Sequence, residues 1–177
     1  MKKSKDATPP STPYTTVCVS GGFDPVHIGH LRMIQEASKF GKVIVIVNSD
    51  DWLMRKKGYI FMPFEERCEI LEGFTATGAT TNVDDTDNTV CEALQRIKPD
   101  YFANGGDRKN NNTPEMDVCE ELGIEMLWSV GGGKIQSSST LVDDAGMTPV
   151  IHDDDDLPKP SKVEIIQSGD IPKQGKY

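Results

Sequence analysis

Two histidines, His27 and His30, stand three residues apart with Gly29 between them, a few residues after the pair Gly21-Gly22. Side chains at that spacing share one helix face, so both imidazoles can address a single anion. The free N–H groups of a helix start point the same way, and glycine lets the backbone approach a phosphate closely. The chemistry on offer is capture of a phosphate and stabilisation of charge upon it. Gly29 keeps the space before the rings open. Asp24 precedes the helix, where a carboxylate can cap it or orient a neighbouring donor, and the orienting role is the favoured one. A His-x-Gly-His run alone is a weak signal; its position after a strand and at a helix start strengthens it.

The elements that must position these residues follow from periodicity. Short β-rich runs at Thr15 to Ser20, Lys42 to Asn48, Ala79 to Val83, Asp100 to Asn104 and Ile124 to Ser129 predict five strands. Between the first two, Ile28, Leu31, Ile34 and Ala37 recur as one buried stripe, predicting a helix that begins inside the histidine motif and stops at Gly41. Further helices are predicted after Pro63, from Thr89 to Ile97, and from Thr113-Pro114-Glu115. Strands alternating with helices predict an α/β fold, a Rossmann-like three-layer α/β/α arrangement around a five-stranded, mainly parallel sheet. One domain over residues 14 to 145 suffices for 177 residues. Residues 1 to 13 read as a disordered tail. Residues 146 to 177 read as an acidic, Pro- and Lys-containing tail in which Lys162 to Gln167 could form an arm.

Ligands of a parallel sheet gather beyond the carboxyl ends of its strands, and three more polar clusters fall there. Asn104-Gly105-Gly106-Asp107 follows the fourth strand; its small residues would admit a base or ribose, and Asp107 could accept hydrogen bonds, a tight turn being the rival reading. Gly131-Gly132-Gly133-Lys134 runs into Ser137-Ser138-Ser139, a serine-capped helix start suited to phosphates, or a plain N-cap behind a glycine linker. Lys57 beside Gly58 is placed on a polar loop, where a mobile point charge can meet a triphosphate; Lys56 fits a solvated surface lysine better. Arg67, after Glu65 and Glu66, offers either an intrahelical ion pair or a phosphate contact.

The segment Gly21-Gly22-Phe23-Asp24-Pro25-Val26-His27-Ile28-Gly29-His30 resembles the Gly-x-Phe-Asp-x-x-His-x-Gly-His signature of the His-x-Gly-His nucleotidyltransferases at every fixed position. The similarity runs over nearly all of residues 15 to 142. It is nearest to the heptose 1-phosphate adenylyltransferases at Val47-Asn48-Ser49-Asp50, Lys57-Gly58, Pro63-Phe64-Glu65-Glu66-Arg67, Gly105-Gly106-Asp107 and Ser137-Ser138-Ser139-Thr140. The resemblance implies His27, His30 and Lys57 as catalytic residues, and Gly21, Gly22, Phe23, Asp24, Gly29, Asn104, Gly105, Asp107, Ser137, Ser138 and Ser139 as nucleotide-binding. It implies Arg67 and Asn48 as phosphate or acceptor contacts. An oxygen of a phosphorylated acceptor would attack the α-phosphorus of an NTP, ATP favoured, and pyrophosphate would leave. No His, Cys and carboxylate spacing spells a metal cage, so Mg²⁺ would arrive with the nucleotide.

The formal charge of −9, from 28 acidic and 19 basic residues, disfavours nucleic acid as a partner. No apolar run approaches a membrane span and no apolar signal core follows Met1, so a cytoplasmic protein is expected. Cys18, Cys68, Cys91 and Cys119 lack Cys-x-x-Cys spacing and read as reduced core residues. Class I aminoacyl-tRNA synthetases share the tetrad, but this chain is too short for their parts. A glycerol phosphate cytidylyltransferase is the alternative within the transferases, although Gly132 stands where its late motif carries arginine. A nucleotide-binding regulatory module without turnover is the alternative outside them, and a homodimer is possible.

Overall fold

The computed structural model describes residues 14–105, 113–133 and 135–146. The expected tails, at residues 1 to 13 and beyond Gly146, lie outside the described residues, as do the Lys162 to Gln167 arm and Asp107.

In β1 (Thr16–Gly21) the side chains of Val17 and Val19 point to one face and that of Cys18 to the other, and all three are fully buried. Burial on both faces is what a parallel strand between two helix layers requires. β2 (Lys42–Val47), β3 (Thr77–Thr81), β4 (Tyr101–Gly105) and β5 (Glu125–Val130) complete the sheet in the order β3-β2-β1-β4-β5, every neighbouring pair parallel.

Right-handed crossovers then decide the layers. Travel from β1 outward to β3 puts α1 (Ile28–Ala37) and α3 (Phe64–Glu72) against Val17, Val19, Val43 and Val45 on one face. The return to β4 and travel the other way puts α4 (Cys91–Ile97) and α5 (Pro114–Leu122) against Cys18, Ile46 and Phe102 on the other. The strand order reverses between β1 and β4, and at such a reversal the carboxyl ends open into a crevice. Gly21 and Gly105 end the two strands there.

Three local expectations are corrected. Residues 50–57, left without a helix, form α2 (Asp50–Lys57): Ser49 Oγ accepts from the Trp52 N–H at 3.0 Å, Asp50 and Asp51 occupy the first turn, and Arg55, Lys56 and Lys57 the last. Both charge placements complement the helix dipole, and Gly58 closes the helix at φ +78°, where a side chain would be strained. β3 lies two residues before its expected start. Gly78 sits at a register shift against β2, where a Cβ would come within 2.6 Å of Lys42, while Val83 leaves the sheet for the α4 face. Gly41 does not end α1, which closes at Ser38; it passes the Thr15 carbonyl with no room for a Cβ.

Candidate active site

The site is built first from the backbone between β1 and α1. Phe23 takes φ +52°, a left-handed conformation uncommon for a side-chain-bearing residue, and its ring is buried at 4.8 Å, edge-on, from that of His30. His27 caps α1: its Nδ1 accepts from the Gly29 N–H at 3.0 Å, and its own N–H donates to His30 Nδ1 at 3.2 Å. Because each Nδ1 is an acceptor, a neutral ring carries its proton on Nε2. The two rings stack with centroids 3.8 Å apart. A Cβ on Gly29 would stand 2.9 Å from the His27 ring, so glycine is what allows the cap.

Electrostatics keep the pair neutral. Burial, then His27 and Lys57, push the His30 pKa down to about 3, and burial with Lys57 lowers that of His27. Lys57, at the end of α2 rather than on a loop, donates from Nζ to the Asp24 carbonyl at 2.8 Å and lies 5.7 Å from the Tyr59 ring centroid. Its own pKa is lowered by burial, Asp24 opposing the shift and Arg67 adding to it. Two neutral N–H donors and a lysine thus share one wall.

A cleft of about 450 Å³ opens at the β1–β4 reversal. Among the expected residues, Gly21, Phe23, His27, Gly29, His30, Lys57, Gly105, Ser137, Ser138 and Ser139 line it. The serines are already engaged: Ser137 Oγ caps α6 (Ser138–Asp144) by accepting from the Thr140 N–H, and Ser138 Oγ donates to the Pro25 carbonyl at 2.9 Å. Ser20, Met33, Gln136 and the loop Gly131 to Gly133 also line the cleft. Ser20, Met33 and Gln136 were not singled out from the sequence, although Ser20 adjoins Gly21 and Gln136 adjoins Ser137.

Other expected residues stand behind the wall. The Arg67 guanidinium is fully buried and donates to the carbonyls of Met62, Gly22 and Asn48 and to the Asp50 carboxylate at 2.6 Å. It is a tie between four segments, neither the expected phosphate contact nor an ion pair with Glu65 or Glu66. Asn48, expected to meet substrate, donates instead to Asp85, whose buried carboxylate also accepts from the Ser49 N–H and hydroxyl. Asp24 takes the orienting rather than the capping role, and the donors it holds are backbone ones, its carboxylate accepting from the Phe61 and Met62 N–H groups at 2.9 and 2.6 Å. Gly22 packs against Leu53 and Trp52. Asn104 is buried near the end of β4, its Nδ2 without a partner among the described residues. Asp85 was missed, since nothing local distinguishes it from other surface-type acids, and Asp50, although part of the Val47-Asn48-Ser49-Asp50 motif, was given no role. Among the described residues no group of three or more His, Cys, Asp or Glu side chains is placed to hold a metal ion, and no helix is long and apolar enough to cross a membrane.

A doubly wound sheet whose reversal point carries glycines, a capped helix start, two neutral imidazoles and a lysine defines a nucleotide-binding α/β domain. Residues 18–129 match the family described as Cytidylyltransferase-like, and the chain belongs to that family of nucleotidyltransferases. Bifunctional protein HldE of Hahella chejuensis is 33% identical over 113 residues, 62% of this chain and 23% of its own length. The chain thus spans about a quarter of such relatives. FAD synthase of Ferroglobus placidus is 30% identical over 92 residues, 52% of this chain and 59% of its own. The crystal structure of the lipopolysaccharide core biosynthesis protein from Thermoplasma volcanium GSS1 shares the fold at TM-score 0.55 and 23% identity, covering 65% of this chain and 93% of its own.

Proposed function

We propose that the chain transfers a nucleotidyl group from an NTP, ATP favoured, to a phosphorylated small molecule of the sugar 1-phosphate kind, with release of pyrophosphate. The observation that carries this reading is the pair of stacked, neutral histidines whose Nδ1 atoms are both used by backbone N–H groups. That arrangement leaves Nε2–H of each ring as a donor for α-phosphate oxygens, with the Lys57 charge beside them. An acceptor oxygen forms the new bond to the α-phosphorus as the bond to the pyrophosphate oxygen breaks, and no protein nucleophile takes part. The residues act by position and by donating to charge that grows in the transition state. Asn104, next to Gly105 of the cleft wall, has its Nδ2 buried without a partner among the described residues and is a candidate donor to the nucleotide. Mg²⁺ is proposed to enter on the triphosphate, where it would offset charge on the leaving group.

Pyrophosphate release with Mg²⁺ and each of ATP, CTP, GTP and UTP, against sugar 1-phosphates, glycerol 3-phosphate and phosphocholine, tests the reading. One pair should turn over, and His30→Ala, checked to be folded, should lose about 10²–10³ in rate. Turnover with CTP and glycerol 3-phosphate would select the cytidylyl alternative. Turnover of His30→Ala at the wild-type rate would refute the role of the histidine pair, and NTP binding without turnover across the panel would favour a regulatory module.

A further inference from the structure

We propose that Glu36 is a positioning residue for the nucleoside end of this cleft, acting through the glycine loop at 131–133; the proposal rests on the nucleotide reading above. Two chemically different groups line the cleft. His27, His30 and Lys57, close enough to act on one another, supply donors, while Met33, Gly105, Val130 and Gly131, packed together, supply apolar surface and backbone. Such a wall, with a few polar backbone groups, suits a nucleoside better than a polyphosphate.

The loop that completes this wall is not held by its own conformational preference. Ser129, Gly131 and Gly132 take φ of +58°, +88° and +78°, and the β4–β5 register shifts just before the strand ends. Glycines leave many other conformations open to the free chain, so this path needs an external tie. Gly131 passes so close to α1 that a Cβ would stand 2.8 Å from Met33 Cα. One turn further along the same helix, Glu36 Oε2 accepts from the Gly131 N–H at 2.9 Å, joining residues 95 apart in sequence. A carboxylate accepting from a backbone N–H is among the stronger hydrogen bonds. Glu36 itself does not line the cleft. It fixes the wall from behind, on the same helix that presents His27 and His30.

The test compares the full-length protein with Glu36→Ala and Glu36→Gln. Exchange of the Gly131 amide, read without any ligand, should accelerate about 10- to 100-fold in Glu36→Ala and stay near wild type in Glu36→Gln, whose carbonyl oxygen still accepts. Titration calorimetry with ATP and with CTP should show weaker binding in Glu36→Ala by a similar factor, recovered in Glu36→Gln, whereas inorganic tripolyphosphate should bind all three proteins alike. Unchanged exchange in Glu36→Ala overturns the tie. Equal loss for tripolyphosphate overturns the assignment to the nucleoside end, as does unchanged nucleotide affinity with altered exchange. A wild-type protein that binds no nucleotide overturns the functional reading on which the proposal rests, and the ligand-free exchange then still decides the tie.

Discussion

Replacing Arg67 by methionine separates a structural tie from a substrate contact. Methionine keeps much of the apolar stem and removes four hydrogen bonds, leaving the Met62, Gly22 and Asn48 carbonyls and the Asp50 carboxylate without that donor. Breaking a buried charged pair costs about 3–5 kcal/mol. Asp50 is 26% exposed, so water can recover part of its share and the lower half of that range is expected. With roughly 2–4 °C per kcal/mol for a chain of this size, the melting temperature should fall by about 6–16 °C. Urea unfolding of the wild type, Arg67→Met, Asp50→Asn and the double variant would isolate the Arg67–Asp50 coupling, expected at about 1–2 kcal/mol. Arg67→Lys should recover little, since one ammonium cannot span four acceptors in the geometry of a guanidinium. A fold as stable as wild type with loss confined to nucleotide or acceptor affinity would refute the reasoning and restore Arg67 as a phosphate contact.

His30 has a folded pKa near 3 against about 6.5 unfolded, so the unfolded chain binds more protons between those values. Stability should therefore fall as pH drops below about 6.5, by at most about 1.4 kcal/mol per pH unit from this group, and His30→Gln should flatten that slope in urea titrations. Asp24→Asn offers one carbonyl oxygen where the carboxylate serves the Phe61 and Met62 N–H groups, and a loss of about 1–3 kcal/mol in urea unfolding is expected; no loss would mean the loop is held otherwise. Gly131→Ala combines φ +88° with a Cβ 2.8 Å from Met33 Cα, so it should destabilise by more than about 1 kcal/mol, whereas Gly133→Ala, whose Cβ would meet none of the described residues within 4 Å, should cost well under that.

What could be read in advance was local. The helical period of α1 and the histidine spacing are set within a few residues, although of the expected stripe only Ile34 and Ala37 are buried, Ile28 being exposed at the helix start and Met33 taking a buried place instead, and the strands announced themselves through runs such as Lys42 to Val47. The α2 helix was equally local and was legible in Ser49-Asp50-Asp51 and Arg55-Lys56-Lys57-Gly58, an N-cap, acids, bases and an αL glycine in helical order. By contrast, β3 is a polar edge strand of Thr, Gly and Ala, and its bounds depend on a bulge against β2 that only the partner reveals.

The amino-acid sequence by itself determined the chemistry of the site, two imidazoles and a glycine at a helix start behind a strand, because side-chain type and short spacing specify it. Only the tertiary structure decided which polar residues face the cleft and which hold it up. Arg67 reaches a carbonyl 45 residues away, Ser138 one 113 residues away, and Glu36 an N–H 95 residues away. A buried donor or acceptor takes whatever partner the packed fold brings within hydrogen-bond reach, and that choice is made by neighbours in space, whose identity short sequence spacing does not carry.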